Sequence, residues 1–250
     1  MKVGLIGSGA MARGLALGWD RPLLCTDVDA QRARALAHDV GGEALDSNAE
    51  LAGRADLVVL CHKPAQLHDV AAEVAPHARA VVSILAATPL QAIKDAYPDR
   101  PVYRVLPSTP VEVAQGAVIL AADAPQDPEL DAAVVELFGE LGTLVRLDDA
   151  LVDPAMGLMS NAPAYYALVV EAQVDAGVRR GIPARQASEL VVQTMAGTAE
   201  LLRRRDFDTL AARRAVTSPG GSTARGLDAL ERAGLRTAFS DAMDAILRTS

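Results

Sequence analysis

Aromatic side chains are almost missing from this chain: Phe, Trp and Tyr make up 3% of its 250 residues, with a single Trp. So few rings build neither a stacking platform for single-stranded nucleic acid nor an aromatic belt at a membrane interface. Positive charge is also in deficit. The formal net charge is -8 at pH 7, which disfavours a phosphate-backbone partner but leaves room for a small anion held in a local site. Only two cysteines occur, Cys25 and Cys61. Each lies within an apolar run, without the pair spacing of a metal site or the density of a disulfide framework, and they read as buried thiols in a reducing compartment. His62, His68 and His77 also lack ligand spacing, so they read as ordinary surface or loop histidines and no metal is expected. No apolar stretch approaches the length of a membrane span. The short apolar start, Val3 to Ile6, runs directly into glycines, unlike a secretory signal. The expectation is a cytoplasmic protein with no nucleic-acid and no membrane partner.

Half of the chain is hydrophobic, and that half is arranged in two textures. Up to about Leu147, short apolar runs alternate with helical patterns: Val3 to Ile6, Leu23 to Thr26, Leu57 to Cys61, Val81 to Leu85, Val102 to Leu106, Ala117 to Leu120 and Leu144 to Leu147. Their shortness and β-branched content predict βαβ units around a mostly parallel, doubly wound sheet. After Asp148, Leu151 to Gly181 and Arg185 to Arg205 are long, Ala-rich and helical in period. Gly181-Ile182-Pro183 supplies a helix stop and the next helix start. The reading is α/β: residues 1–150 form a dinucleotide-binding domain and residues 151–250 a smaller all-helical domain. About a hundred residues of long helices make a marginal core alone, which favours pairing with another copy.

Gly7-Ser8-Gly9-Ala10-Met11-Ala12 follows the first predicted strand and opens a helix, the context of a Rossmann-type fingerprint with Ala in the third position. Gly7 permits the tight turn, Gly9 lets backbone approach a pyrophosphate, and the helix start at Ala10 and Met11 offers N–H groups and a favourable dipole. The second strand ends at Asp27, about twenty residues on. A carboxylate there accepts from the adenosine ribose diol and repels a 2′-phosphate, favouring NADH over NADPH, with Arg32 and Arg34 near enough to soften the repulsion. The alternative is that Asp27 serves only the start of the next helix, through Asp29. Lys63 falls at the carboxyl end of a predicted strand, the edge where open α/β sheets bind ligands, or else is simply solvated.

Farther on, Val216-Thr217-Ser218-Pro219-Gly220-Gly221-Ser222-Thr223 sets a Pro, two Gly and several hydroxyls before a predicted helix. With Lys63-Pro64, Leu106-Pro107-Ser108-Thr109-Pro110 and Pro163-Ala164-Tyr165, this block gives the chain a resemblance to the pyrroline-5-carboxylate reductase family over almost its whole length. Glu171-Ala172, Asp175-Ala176-Gly177-Val178 and Gly226-Leu227-Asp228-Ala229-Leu230-Glu231 reinforce it. The resemblance implies reduction of the cyclic imine 1-pyrroline-5-carboxylate to L-proline by NAD(P)H. By position it assigns Ser218, Gly221 and Ser222 to the substrate carboxylate and Thr223 to the ring nitrogen, and it adds Asn48 and Pro64 to the cofactor set of Gly7, Gly9, Ala10, Met11, Asp27 and Lys63. Gly-flanked N–H groups at a helix start suit an anion without a basic side chain. A cap would explain one hydroxyl there, and Asn48 reads equally as an N-cap. The resemblance also implies a homodimer, or a ring of dimers, with each active site drawn from two chains.

Several residues depart from the family pattern. Asn161 and Ala162 stand where the family keeps Gly, Ser108 stands for Asn, and Cys61-His62 replaces a small apolar pair. These changes leave open a paralogue that reduces another cyclic imine, or a nucleotide-binding regulatory protein without turnover. A β-hydroxyacid dehydrogenase reading fits poorly, because that chemistry uses a Lys on a second-domain helix and no Lys follows Lys94.

Overall fold

The computed structural model describes residues 1–122 and 127–247. The apolar runs become strands β1 Val3–Ile6, β2 Leu24–Thr26, β4 Leu57–Leu60, β5 Val81–Ser83, β6 Val102–Pro107, β7 Gly116–Ala122 and β8 Gly142–Asp148, joined by a two-residue edge strand, β3 Glu43–Ala44, that no apolar run announces. They form one sheet in the order β3-β2-β1-β4-β5-β6-β7-β8. Every pairing is parallel except β6 with β7, where Leu106 lies opposite Ile119 in antiparallel register. Between them run helices α1 Ala10–Trp19, α2 Ala30–Asp39, α3 Asn48–Arg54, α4 Leu67–Val74, α5 Leu90–Ala96, α6 Pro128–Gly139 and α7 Asp149–Met159.

Successive strand residues face opposite sides, so a continuous apolar run feeds two cores at once. Leu5, Val59 and Val82 join Leu15, Trp19 and Phe138 on one face. Ile6, Val58 and Leu60 join Leu51, Ile93 and Tyr97 on the other. Burying each such large side chain contributes about 1.5–3 kcal/mol. The single Trp is fixed at both ends of its chemistry: Nε1 donates to the Leu137 carbonyl at 2.8 Å, and the ring meets Phe138 edge-on with centroids 5.3 Å apart. Helix α1 lies directly on a 3-10 turn, Thr109–Val113; a Cβ at Gly18 would stand 2.0 Å from the Val111 carbonyl oxygen.

Among the described residues one charged side chain is buried. Arg104, on β6, is 2% exposed and reaches Asp149 at 2.8 Å and Asp153 at 2.5 Å. Asp149 also accepts from the Leu90 N–H at 3.1 Å, so a single guanidinium ties the sheet to α7 and, through Asp149, to the start of α5.

Contacts divide the chain into one compact unit from Met1 to Pro163 and another beginning at Ala164. The first unit thus includes α7, whose Val152 and Met159 are buried in the second sheet core. The stretch Leu151 to Gly181, helical throughout in period, is broken after Met159: the N–H groups of Ser160 and Asn161 both return to the Met156 carbonyl, and α8 Ala162–Val178 starts anew. Next come α9 Ala184–Arg204, α10 Thr209–Ala215, α11 Ser222–Arg232 and α12 Leu235–Leu247. Among the described residues of the second unit, only Ala187 is buried. Leu168, Leu190, Phe207 and Val216 are all more than 60% exposed. Five helices with so little shared interior leave their apolar faces uncovered within one chain.

Candidate dinucleotide cleft and anion loop

The strand order reverses direction between β1 and β4, and at the carboxyl ends of these two strands lies a cleft of about 180 Å³. This is the place where doubly wound sheets take ligands. Gly7, Gly9, Asp27, Asn48 and Lys63 line it. Ala10 and Met11 form the first turn of α1 just beyond Gly9. Pro64 is not on the lining; it opens a 3-10 turn, Pro64–Gln66, while the Gln66 side chain accepts from the Lys63 N–H at 3.2 Å.

The glycines have separate reasons. Gly7 has φ +97°, and a Cβ there would sit 2.8 Å from the Cys61 carbonyl group, so both dihedral and space exclude a side chain. Gly9 is the N-cap of α1, no side chain caps that end, and nothing stands within 4 Å of where its Cβ would be. Open space before unpaired N–H groups at a helix start is what a pyrophosphate requires. Residues and space therefore fit a dinucleotide.

Asp27 is held in place by two backbone donors, Ser8 N–H at 2.7 Å and Asp29 N–H at 2.8 Å, one on each oxygen. The cap of α2 is Asp29, which accepts from the Gln31 N–H at 3.0 Å; Asp27 is free of that duty and lines the cleft. Likewise Ser47, not Asn48, caps α3. Arg32, which pairs with Asp29 at 3.5 Å, also lines the cleft.

Of the histidines read as surface or loop residues, His62 falls in the loop after β4 and is also a wall of the same cleft. Its Nδ1 lies 2.9 Å from the Lys63 carbonyl oxygen; a carbonyl only accepts, so Nδ1 carries the proton. Nε2 is buried without a partner among the described residues, and burial holds the imidazole pKa below its usual value despite that carbonyl. The signal for His62 was its place beside Lys63: β4 pairs with β1 through Leu60 and Ile6, which sets the residues after Leu60 against Gly7. Burial pushes the Cys25 thiol up to about 12 and raises Cys61 as well, with Cys25 adding to the effect, so neither supplies a thiolate. Ser108 is 2% exposed, and its hydroxyl accepts from the Ala117 N–H at 2.9 Å, which braces the end of β6 against β7.

In the second unit, Ser218, Gly221, Ser222 and Thr223 gather at the start of α11. Gly220 turns the chain with φ +67°, and the Gly221 N–H donates to the Ser218 carbonyl at 3.0 Å. A Cβ on Gly221 would fall 2.4 Å from Ser218 Oγ. Gly221 is the N-cap, and neither Ser222 nor Thr223 caps the helix. Among the described residues, the Ser222 and Thr223 hydroxyls make no cap hydrogen bond to the first N–H groups of α11.

The sheet order and the cleft define a dinucleotide-binding protein of the doubly wound class, carrying a second, helical unit. Residues 2–87 match the family model described as NADP oxidoreductase, coenzyme F420-dependent, and residues 149–250 match pyrroline-5-carboxylate reductase dimerisation. A pyrroline-5-carboxylate reductase from Synechocystis sp. is 37% identical over 205 residues, covering 81% of this chain and 77% of its own. The crystal structure of 1-pyrroline-5-carboxylate reductase from Streptococcus pyogenes matches with TM-score 0.89 and 30% identity over 100% of this chain and 97% of that one. A pyrroline carboxylate reductase from Plasmodium falciparum, solved with NADP bound, shares the fold at TM-score 0.88 and 24% identity, over 100% and 96% of the two chains. This chain belongs to the pyrroline-5-carboxylate reductase family.

Proposed function

We infer that this chain is an NAD(P)H-dependent oxidoreductase that converts the cyclic imine 1-pyrroline-5-carboxylate to L-proline, the reductive step of proline biosynthesis. One observation carries the reading: a family member keeps on a single chain both a dinucleotide cleft and, among the described residues, a helix start with no side-chain cap, flanked by Gly220, Gly221 and the Ser222 and Thr223 hydroxyls. A bound reduced nicotinamide supplies the hydride. The protein's own task is to bind and orient. Gly7 and Gly9 leave room for the pyrophosphate, with the first N–H groups of α1, at Ala10 and Met11, facing it. Asp27 accepts from the adenosine ribose diol and sets a preference for NADH, and Asn48, Lys63 and Pro64 complete that side.

On the substrate side, Ser218, Gly221 and Ser222 hold the carboxylate, and Thr223 hydrogen-bonds the ring nitrogen. With the nitrogen protonated, the imine carbon gains a hydride, the C=N pair moves onto nitrogen, and the product is the secondary amine. A Thr hydroxyl is too weak an acid to deliver that proton near neutral pH, so Thr223 orients the nitrogen and water supplies the proton.

The functional division is a dinucleotide part, residues 1–150, and a substrate and dimerisation part, residues 151–250. The exposed apolar faces of α8 to α12 support a homodimer, with each site drawn from the first part of one copy and the second part of its partner, and rings of such dimers as the larger assembly. Among the described residues no helix is long and apolar enough to cross a membrane, and we place the reaction in the cytoplasm. A related cyclic imine as substrate is favoured by one observation, the Oδ1 of Asn161 just before α8, buried without a partner among the described residues.

The test is loss of the reduced-nicotinamide absorbance on mixing protein with 1-pyrroline-5-carboxylate, with NADH and NADPH in parallel and with unsubstituted 1-pyrroline and its six-membered analogue as controls. Fast loss with the carboxylated five-membered ring supports the function. Faster loss with another imine moves the substrate, and nucleotide binding without turnover of any imine overturns the enzyme.

A further inference from the structure

Asn48 stands between two groups that decide which way its amide faces. Thr26 Oγ1, at the end of β2, donates to Asn48 Oδ1 at 2.7 Å. Glu73 Oε2, on α4, accepts from Asn48 Nδ2 at 2.8 Å. A carboxylate only accepts, so the amide nitrogen is turned to Glu73 and the oxygen to Thr26. Thr26 alone would not fix this, because a hydroxyl donates or accepts equally well and would satisfy either orientation. Asn48 also lines the cleft with Gly7, Gly9 and Asp27. Its Nδ2 carries two hydrogens, and Glu73 takes one.

We propose that Glu73 is a positioning residue for the dinucleotide: it pins the Asn48 amide so that the second Nδ2 hydrogen is offered to a sugar or phosphate oxygen of the ligand in the cleft. This rests on reading the cleft as the dinucleotide site. Glu73 touches no ligand in this role and acts through Asn48. Its charge alone would work in the opposite sense, since a carboxylate near a polyanionic ligand weakens binding by repulsion. Hydrogen bonding and charge therefore predict opposite signs for its removal.

The experiment measures the dissociation constants of NADH and of ADP-ribose by titration calorimetry on the full chain, for the wild type, Asn48→Ala, Glu73→Ala, the double variant and Glu73→Gln. Asn48→Ala and Glu73→Ala are each expected to weaken binding about tenfold, the size of one charge-assisted hydrogen bond at the low end of its range. The double variant is expected to bind no more weakly than Asn48→Ala, because Glu73 has nothing left to orient. Glu73→Gln, whose side-chain oxygen accepts the same bond, is expected to stay within about threefold of wild type. Additive losses in the double variant, or tighter binding by Glu73→Ala, would overturn the positioning role. Wild type that binds neither ligand, or an Asn48→Ala variant that binds both unchanged, would instead overturn the cleft assignment on which it rests.

Discussion

Asp27 accepts one backbone N–H on each oxygen, which fixes its position and still leaves lone pairs for a ribose diol. A 2′-phosphate brought to the same edge meets a fixed carboxylate, with Arg32 as partial relief. Asp27→Ser should therefore shift the ratio of kcat/KM for NADPH over NADH upward by about tenfold, roughly 1.4 kcal/mol of removed repulsion. Steady-state kinetics with both cofactors check this, and an unchanged ratio would remove Asp27 from the ribose edge.

His62 makes a different prediction at the same scale. Its folded pKa lies below its ordinary value of about 6.5, so as pH falls from 7 the unfolded chain takes up the proton first and stability drops until the folded pKa is passed. The imidazole also buries Nε2 without a partner among the described residues, a penalty of about 1–3 kcal/mol. His62→Phe should flatten the fall in stability between about pH 7 and pH 5 and leave the ligand-free protein about 1 kcal/mol more stable at the acid end. Denaturant titrations across that range decide it; parallel pH curves for the two proteins would contradict it. The place of His62 at the strand end was legible in the sequence; the turn of its ring into the cleft and the Nδ1 bond were not. Histidine in a loop looks the same whether its ring faces water or a wall, whereas Gly7 and Gly9 announce themselves because only glycine meets their local demands.

Among the elements, strands were legible wherever an apolar, β-branched run was long enough to be buried on both faces, as in β1 and β4. β3 escaped because two residues at a sheet edge, Glu43 and Ala44, carry no pattern of their own. The break between α7 and α8 escaped for a related reason: no glycine stands between Met159 and Pro163 to mark it, and the Met156 carbonyl that closes the turn is a matter of geometry and not of residue type. At α11 the sequence left capping and ligand binding open; the structure gives the N-cap to Gly221, with no side-chain cap hydrogen bond. Thr223→Val should accordingly change unfolding free energy by less than about 0.5 kcal/mol, where loss of a cap would cost about 1 kcal/mol. It should lower kcat with 1-pyrroline-5-carboxylate by about 10- to 100-fold, or about 1.4–2.7 kcal/mol, with the NADH dissociation constant unchanged. A large stability loss with normal kcat would return Thr223 to a structural role.

For the whole molecule, the contrast between the two units matters most. The first buries two cores on one sheet, while the second buries only Ala187 among its described residues and exposes Leu168 and Phe239 beside an apolar groove of about 220 Å³ between α8 and α12. Helix α8 is mostly apolar apart from Glu171, Gln173 and Asp175, so its exposed Tyr166 and Leu168 call for a cover, and the match of residues 149–250 to a dimerisation family says what kind to expect. Composition had already suggested pairing, because a hundred helical residues seldom make a core alone. Leu168→Glu should convert a dimer or larger assembly to monomer in sedimentation velocity and abolish turnover, while the first unit still binds NADH. A wild-type chain that sediments as a folded monomer at micromolar concentration would contradict the shared-site architecture.

Reductase and sensor differ most sharply in stoichiometry. With 1-pyrroline-5-carboxylate in excess and a limiting amount of NADH, amino-acid analysis alongside the absorbance trace should find one L-proline formed for each NADH oxidised, in amounts far above the protein present. NADH that binds to the folded assembly but is not oxidised, or is oxidised without proline appearing, would contradict the assignment of this chain as the enzyme that makes proline.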